Sequence, residues 1–276
     1  MPYLLMTSLI WSFSFGVINA ELTGLDPYLV SWIRLVLSFL VFLPFLRRVA
    51  FPTALALVAI GMIQFGLMYC LYIYSYQYLA GHQVALLTIT TPLFMVLIHA
   101  VLERRWVARY WSAAVLAVLA ALVLAVGESK GQPSWKGVLL VQGANLCFAA
   151  GQLFYKKLPL TKQRARRHFG WLYLGALIVP ALFIALQGGD LPSLPTGERQ
   201  WLALLYVGLI PSGLGFFLWN KGVVRVNAGL AAIMNNLKVP LGVLVAWLFF
   251  GEQIQTLPFL ISAALFALAL RLGRRS

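Results

Sequence analysis

Long apolar runs alternate with short polar connections along this chain. A membrane-spanning helix needs about 20 mostly apolar residues. Ten runs of about that length take up most of the chain, which predicts an all-α membrane protein with ten transmembrane helices. The predicted spans are residues 2–20, 28–46, 53–76, 80–102, 108–127, 135–155, 168–187, 199–219, 228–250 and 257–272.

The first run has an alternative interpretation as a secretory signal peptide, with Ala20 as the cleavage residue. No basic residue precedes this run, and it is longer than the apolar core of a signal peptide. We therefore expect an uncleaved first helix. Cys70 and Cys147 fall inside predicted helices, which predicts two thiols rather than a disulfide or a metal site.

Composition agrees with a membrane protein. Hydrophobic residues make up 62% of the chain and charged residues 10%, whereas a soluble domain has roughly 45–50% and about 25%. The chain is too apolar for disorder. Its net charge of +14 would favour nucleic-acid binding in a soluble protein, so the position of the charges decides between the two interpretations.

The basic residues separate by side of the membrane. With ten spans, 16 of the 21 Lys and Arg lie in connections on one side and three on the other, while Arg34 and Lys238 lie within spans. The positive-inside rule places the first side, and both termini, in the cytoplasm. Six of the seven acidic residues lie opposite, Glu103 being the exception. Because the basic residues are spread over separate connections, we expect no nucleic-acid partner.

The chain contains an internal repeat. Ala80-Gly81 and Ala228-Gly229 open the fourth and ninth spans, and a proline follows each alanine after twelve residues, at Pro92 and Pro240. Each half holds five spans, an odd number, so the second half enters from the opposite side. We predict two inverted five-helix repeats, residues 1–129 and 130–276. Such repeats place a substrate site near the bilayer midplane, where the halves meet.

Several short motifs stand out along the chain. They are Trp11-Ser12-Phe13-Ser14-Phe15, Ser31-Trp32-Ile33-Arg34, Tyr78-Leu79-Ala80-Gly81 with Leu102-Glu103-Arg104, and Val226-Asn227-Ala228-Gly229 with Gly251-Glu252. With these motifs the chain resembles the EamA-type branch of the drug/metabolite transporter superfamily. The resemblance implies a secondary transporter without an ATPase, with a central cavity lined by helices 1, 3, 4, 6, 8 and 9. The branch carries amino acids, other metabolites and toxic compounds.

Lys238 is the sharpest functional candidate. An ionisable residue inside a span is costly and indicates function. Lys238 lies near the centre of helix nine, one turn from Asn235 and two residues before Pro240, which frees a backbone carbonyl. We expect Lys238 to bind an anionic group of the substrate. A desolvated lysine can also lose its proton, which would couple transport to protons. The alternative is a structural cation held by carbonyls or by Asn235.

Other intramembrane residues divide into two groups. Amides are costly to bury unsatisfied, so Asn145, Gln152 and Asn235 are predicted to face the cavity. Hydrogen bonding or packing between helices is the alternative for any single polar residue. The further predicted substrate-binding residues are Trp11, Ser12, Phe15, Tyr72 and Trp219. The residues assigned to gating or structure are Arg34, Tyr76, Pro92 and Pro240.

These observations lead to a functional expectation. No Asp or Glu lies mid-span, which favours an anionic or zwitterionic substrate. The chain lacks the His, Ser–His and paired-Asp motifs of intramembrane enzymes, and His82 has no ligand at metal-binding spacing, so we expect no enzyme, metal or cofactor. We predict alternating-access export of a small polar metabolite, an amino acid or related carboxylate, by a monomer or dimer of the bacterial inner membrane. The alternatives are nucleotide-sugar, lipid-linked or drug transport, and a non-transporting scaffold.

Overall fold

The computed structural model describes residues 1–125, 133–158, 165–188, 192–250 and 256–274. In these ranges nine helices are long and apolar enough to cross a membrane, and Ala108–Leu124 is a shorter apolar helix. The prediction of ten membrane helices is confirmed. The helices are α1 (Pro2–Glu21), α2 (Pro27–Phe42), α3 (Phe51–Ser75), α4 (Gly81–Glu103), α5 (Ala108–Ala125), α6 (Trp135–Lys157), α7 (Ala165–Leu186), α8 (Glu198–Val223), α9 (Ala228–Asn236 and Lys238–Phe250) and α10 (Thr256–Arg274).

Side-chain caps fix the start of two helices. The Asp26 carboxylate accepts from the backbone N–H groups of Tyr28 and Leu29, at 3.0 and 2.8 Å, and Pro27 occupies the first turn of α2. Asn227 caps α9 by accepting from the backbone N–H of Leu230 at 2.8 Å. These caps satisfy N–H groups that the first helical turn leaves without a partner.

Glycines bring α3 and α7 into direct backbone contact. A Cβ added to Gly61 would overlap the carbonyl group of Leu172, and one added to Gly175 would overlap the carbonyl group of Val58. Small residues at a membrane helix interface permit this close approach and gain van der Waals contact. The two helices therefore pack through their main chains at this point.

Corresponding helices of the two halves are interrupted at mid-length. A π-helical segment lies in α3 (Met62–Leu67) and another in α8 (Gly208–Gly215). In α4 a 3₁₀ turn (Thr88–Thr90) precedes Pro92, and α9 is broken at Leu237, shortly before Pro240. Such irregular backbone is tolerated at membrane depth where it is buried in protein or lines a cavity.

The two ends of the bundle differ in charge. We call the end at which α2 ends and α3 begins the basic end, and the opposite one the acidic end. At the basic end the Lys157 ammonium forms an ion pair of 3.1 Å with Glu103, joining α6 to α4.

Cys70 and Cys147 are free thiols. The exposed tryptophans include Trp106, Trp135 and Trp201, as is expected of residues at the membrane interface.

Candidate functional site

A central cavity lies where the interrupted helices meet. It holds roughly 600 Å³ of space free of protein atoms, its mouth included. The helices that line it are those implied by the family resemblance, with α2 in addition. The lining residues are Trp11, Ser14, Ile18, Arg34, Met68, Tyr69, Tyr72, Thr88, Thr91, Ala144, Asn145, Phe148, Pro211, Phe216, Asn235 and Lys238.

Two buried cations face this cavity. Lys238 is 8% exposed and Arg34 is 1% exposed. None of the acidic side chains that the structure describes is buried. Burying a charge away from water is costly unless an opposite charge or hydrogen bonds compensate. The described lining therefore provides two positive charges and no carboxylate, which suits a negatively charged ligand.

Lys238 reaches the cavity because α9 breaks just before it. Its Nζ lies 6.0 Å from the centre of the Trp11 ring. Asn235, one turn earlier, is 1% exposed, and its Oδ1 has no hydrogen-bond partner in the described part of the chain. Asn236 points away and donates to the carbonyl oxygens of Ile89 (2.7 Å) and Ala117 (3.3 Å). Lys238 and Asn235 therefore share the cavity face, as the sequence predicts.

Arg34 is held by two neighbouring helices. Its Nε donates to Ser212 Oγ at 3.0 Å and its Nη2 to the Tyr69 hydroxyl at 3.3 Å. The guanidinium lies over the Tyr69 ring, 4.1 Å from the ring centre. Tyr69 and Ser212 also bond to each other at 2.9 Å. The sequence assigned Arg34 to gating or structure, whereas the structure places it in the cavity lining.

Aromatic rings form an apolar wall of the cavity. The ring of Trp11 lies 5.8 Å from that of Phe148 and 5.0 Å from that of Phe216, measured between centroids. The indole N–H of Trp11 donates to the carbonyl oxygen of Pro211 at 3.1 Å, which fixes its orientation. Tyr72 adds a further ring to the lining. An apolar ring system fits such a wall, since aromatic pairs favour edge and offset contacts.

The amide of Asn145 lies in the cavity wall and also donates hydrogen bonds to α4. Its Nδ2 donates to the Leu87 carbonyl oxygen at 3.0 Å and to Thr90 Oγ1 at 3.1 Å. This carbonyl belongs to the turn that precedes Pro92, where the helix is irregular. Asn145 therefore satisfies backbone groups that the interrupted helix leaves open, in addition to facing the cavity.

The structure brings together only part of the predicted site. Trp11, Tyr72, Asn145, Asn235 and Lys238 line the cavity. The side chain of Phe15 lies outside the described residues. The predicted substrate-binding residues outside the lining are Ser12, Gln152 and Trp219. The Ser12 hydroxyl donates to the carbonyl oxygen of Leu9, and the indole N–H of Trp219 donates to Gln152 at 2.6 Å. Tyr76, which was assigned to gating or structure, bonds through its hydroxyl to that of Tyr72.

Several lining residues were not predicted, among them Tyr69, Pro211 and Phe216. Each follows or lies within a π-helical segment. A π turn has more residues than an α turn, so the face that a residue presents changes across the segment. Regular helical spacing therefore misplaced the cavity face in α8, whereas in α3 it found Tyr72 and missed only Tyr69, one turn away on the same face. In α8, Pro211 and the nearby glycines Gly208, Gly213 and Gly215 were the sequence signal of this irregularity.

Hydrogen bonds between helices close the cavity toward the basic end. Gln64 in α3 and Asn220 in α8 bond reciprocally through their amides, at 2.9 and 3.3 Å, and both are fully buried. In α1, the Ser8 hydroxyl donates to the carbonyl oxygen of Met234 at 2.9 Å. Ile18, by contrast, extends the lining toward the acidic end. The described conformation is thus sealed at the basic end.

This amide pair gives a first testable prediction. Gln64→Leu leaves the Asn220 amide buried without its partner, which costs about 1–3 kcal/mol of stability. Gln64→Leu combined with Asn220→Leu removes both polar groups and should recover most of that loss. Thermal unfolding of the purified protein measures the cycle, with the exposed Gln77→Leu as control. Equal losses for the single and double variants would contradict a reciprocal pair.

Comparisons with known proteins agree with this architecture. The sequence profile described as "EamA-like transporter family" matches residues 1–127 and 135–272. A "Probable biotin transporter" of Pseudomonas aeruginosa is 39% identical over 100% of this chain and 99% of its own length. A "Biotin transporter" of Salmonella typhimurium is 37% identical, over 100% of this chain and 93% of its own length.

A solved structure has the same fold. It is described only as "Crystal structure of protein" and superposes with a TM-score of 0.78, at 17% identity, over 100% of this chain and 98% of its own. The family resemblance noted in the sequence is therefore confirmed. The names of the relatives are those of transporters and not of enzymes.

Proposed function

Because the chain belongs to the EamA-like transporter family and is a membrane transporter of a small metabolite, we propose that its substrate is biotin. Biotin joins a carboxylate, through a four-carbon chain, to a fused ring system that contains a neutral urea group. The observation that carries the proposal is the combination of buried cations with an aromatic wall in one cavity. Two relatives, one named a biotin transporter and one a probable biotin transporter, add support.

Lys238 is the proposed anchor of the biotin carboxylate. An ammonium is a compact point charge with three rotatable donors, which suits a carboxylate without fixed geometry. The neighbouring Asn235 amide, 1% exposed, offers polar groups beside it. The cost of burying Lys238 in a largely apolar wall is then offset when the carboxylate binds. The ring system of biotin would pack against Trp11 and Phe216.

An amino acid fits the cavity less well. Its ammonium group would lie in a described lining that contains two cations and no acidic side chain, where only neutral oxygens such as Asn235 Oδ1 could accept from it. The sequence analysis favoured an amino acid or related carboxylate. Of these two, a carboxylate without an amino group matches the charges of the lining better.

Several finer points stay predictions. We propose the inner membrane of a bacterium with both termini in the cytoplasm, on the distribution of basic residues. The boundary between the two five-helix repeats, near residues 129 and 130, lies outside the described residues. Net export, proton coupling and the choice between monomer and dimer are likewise predictions, which transport assays in proteoliposomes and mass measurements of the purified protein test.

Ligand-induced stabilisation tests the proposed substrate. A ligand at about 100 times its Kd stabilises the folded protein by about 2.7 kcal/mol. We expect biotin to raise the unfolding temperature of the purified protein, and biotin methyl ester, which lacks the charge, to do so much less. Amino acids and organic cations complete the panel. Stabilisation by amino acids and none by biotin would overturn the proposal.

A further inference from the structure

Arg34 has one nitrogen that its neighbours do not use. Nε and Nη2 are bound to Ser212 and Tyr69, but the buried Nη1 has no hydrogen-bond partner in the part of the chain that is described. Arg34 is 1% exposed and lines the cavity. A buried donor without a partner is costly, and a guanidinium more so than a neutral group. A ligand acceptor at Nη1 would remove that cost.

The contacts of Arg34 restrict what this acceptor is. Arginine commonly holds a carboxylate through two parallel N–H groups in a fork. Here Ser212 and Tyr69 occupy the fork formed by Nε and one N–H of Nη2, so the side of the guanidinium that carries Nη1 is left for a ligand. Because the proposed function assigns the single carboxylate of the substrate to Lys238, the acceptor at Nη1 is a neutral oxygen, such as a carbonyl oxygen.

The two cations of the cavity belong to different parts of its wall. The Trp11 ring lies near Lys238, and its indole nitrogen donates to Pro211. The next residue, Ser212, accepts from Arg34. Trp11, Pro211 and Ser212 thus form a chain of contacts that connects Lys238 to Arg34. A ligand with one negative charge and a neutral polar group at its other end could engage both cations.

We infer that Arg34 is a specificity-determining residue whose Nη1 donates to the urea carbonyl oxygen of biotin, while Lys238 binds the carboxylate. This inference rests on the proposed function. Tyr69 and Ser212 act as positioning residues, since they fix the guanidinium and leave its Nη1 side for the ligand. The urea oxygen is a strong neutral acceptor because both flanking nitrogens donate electron density to it.

Paired changes in ligand and protein test the assignment. The ligands are biotin, 2-thiobiotin, in which a poorly accepting sulfur replaces the urea oxygen, and biotin methyl ester. Titration calorimetry of the detergent-solubilised protein gives each Kd. In the unchanged protein we expect 2-thiobiotin to bind about tenfold more weakly than biotin. Arg34→Lys should weaken biotin by a similar factor and bring biotin and 2-thiobiotin to nearly equal affinity.

The Lys238→Met variant supplies the matched comparison. It should abolish the difference between biotin and its methyl ester while keeping the difference between biotin and 2-thiobiotin. Arg34→Lys should show the reverse. If Arg34→Lys does not fold, Tyr69→Phe, which keeps the ring and releases Nη2, should reduce the 2-thiobiotin difference instead.

The possible failures are distinguishable. If biotin does not bind the unchanged protein, the proposed function is wrong, and this inference with it. If biotin binds but 2-thiobiotin binds equally well, only the role of Arg34 is wrong. If Arg34→Lys erases the methyl ester difference, Arg34 rather than Lys238 holds the carboxylate, and the assignment is overturned.

Discussion

Lys238→Met is expected to weaken biotin binding by about 2–5 kcal/mol, on the order of thirtyfold to several thousandfold in Kd. Methionine keeps the length and the apolar contact near Trp11 but removes the charge that the carboxylate would bind. Lys238 lines the cavity and is 8% exposed, so in the variant water is a poor substitute for the lost contact with the carboxylate. The loss should appear in the Kd measured by titration calorimetry and in uptake by proteoliposomes.

The same variant should not destabilise the protein without ligand. A buried charge carries a desolvation cost, and replacing it with an apolar residue of similar size is often neutral or stabilising. Lys238→Arg, which keeps the charge, should retain part of the affinity. The exposed Lys136→Met serves as the matched control and should leave binding unchanged. An unaltered Kd in Lys238→Met would remove this residue from the proposed mechanism.

The second large effect concerns the contact between α3 and α7. Gly61→Val and Gly175→Val are each expected to reduce stability by about 3 kcal/mol or more, because a side chain there would meet backbone carbonyl groups that cannot turn aside. The double variant should lose less than the sum of the two, since either change already separates the helices. Thermal unfolding and the folded fraction on size-exclusion chromatography measure the loss.

Gly16→Ala is the control for these glycines. Among the described residues, and apart from its chain neighbours and the backbone of its own helix, nothing lies within 4 Å of a Cβ added at Gly16, on α1. Alanine favours a helix over glycine, so this variant should be neutral or slightly more stable. A Gly61→Val protein as stable as Gly16→Ala would show that the α3–α7 backbones are not in the close contact described above.

Much of the fold was readable from the sequence. The length of the apolar runs predicted ten helices because a bilayer demands about 20 residues per crossing. The second predicted span, residues 28–46, begins next to Asp26 and Pro27, where a carboxylate cap and a proline together start α2. The repeated prolines, Pro92 and Pro240, follow the helix interruptions.

The site was harder to predict than the fold. Lys238 and Asn235 were found because a buried charge and a buried amide need a reason. Gln152 is also a buried amide within a span, but it bonds to Trp219 outside the cavity lining. Sequence alone does not distinguish an amide that faces a ligand from one that faces another helix. Phe216 was missed because the π-helical segment of α8 shifts the face of the helix. Tyr69 was missed although it lies on the same face of α3 as the predicted Tyr72.

The four helix interruptions have a mechanical consequence. Each interrupted helix consists of two stiff rods joined at the level of the cavity, and the joints border lining residues such as Tyr69, Thr91 and Lys238. Asn220, whose amide bonds to Gln64 at the basic end, lies beyond the joint on one rod of α8. A rod that pivots at such a joint moves its far end most and its joint least. The residues that would hold the ligand thus lie near the pivot, and a residue that closes the basic end lies on the part that moves further.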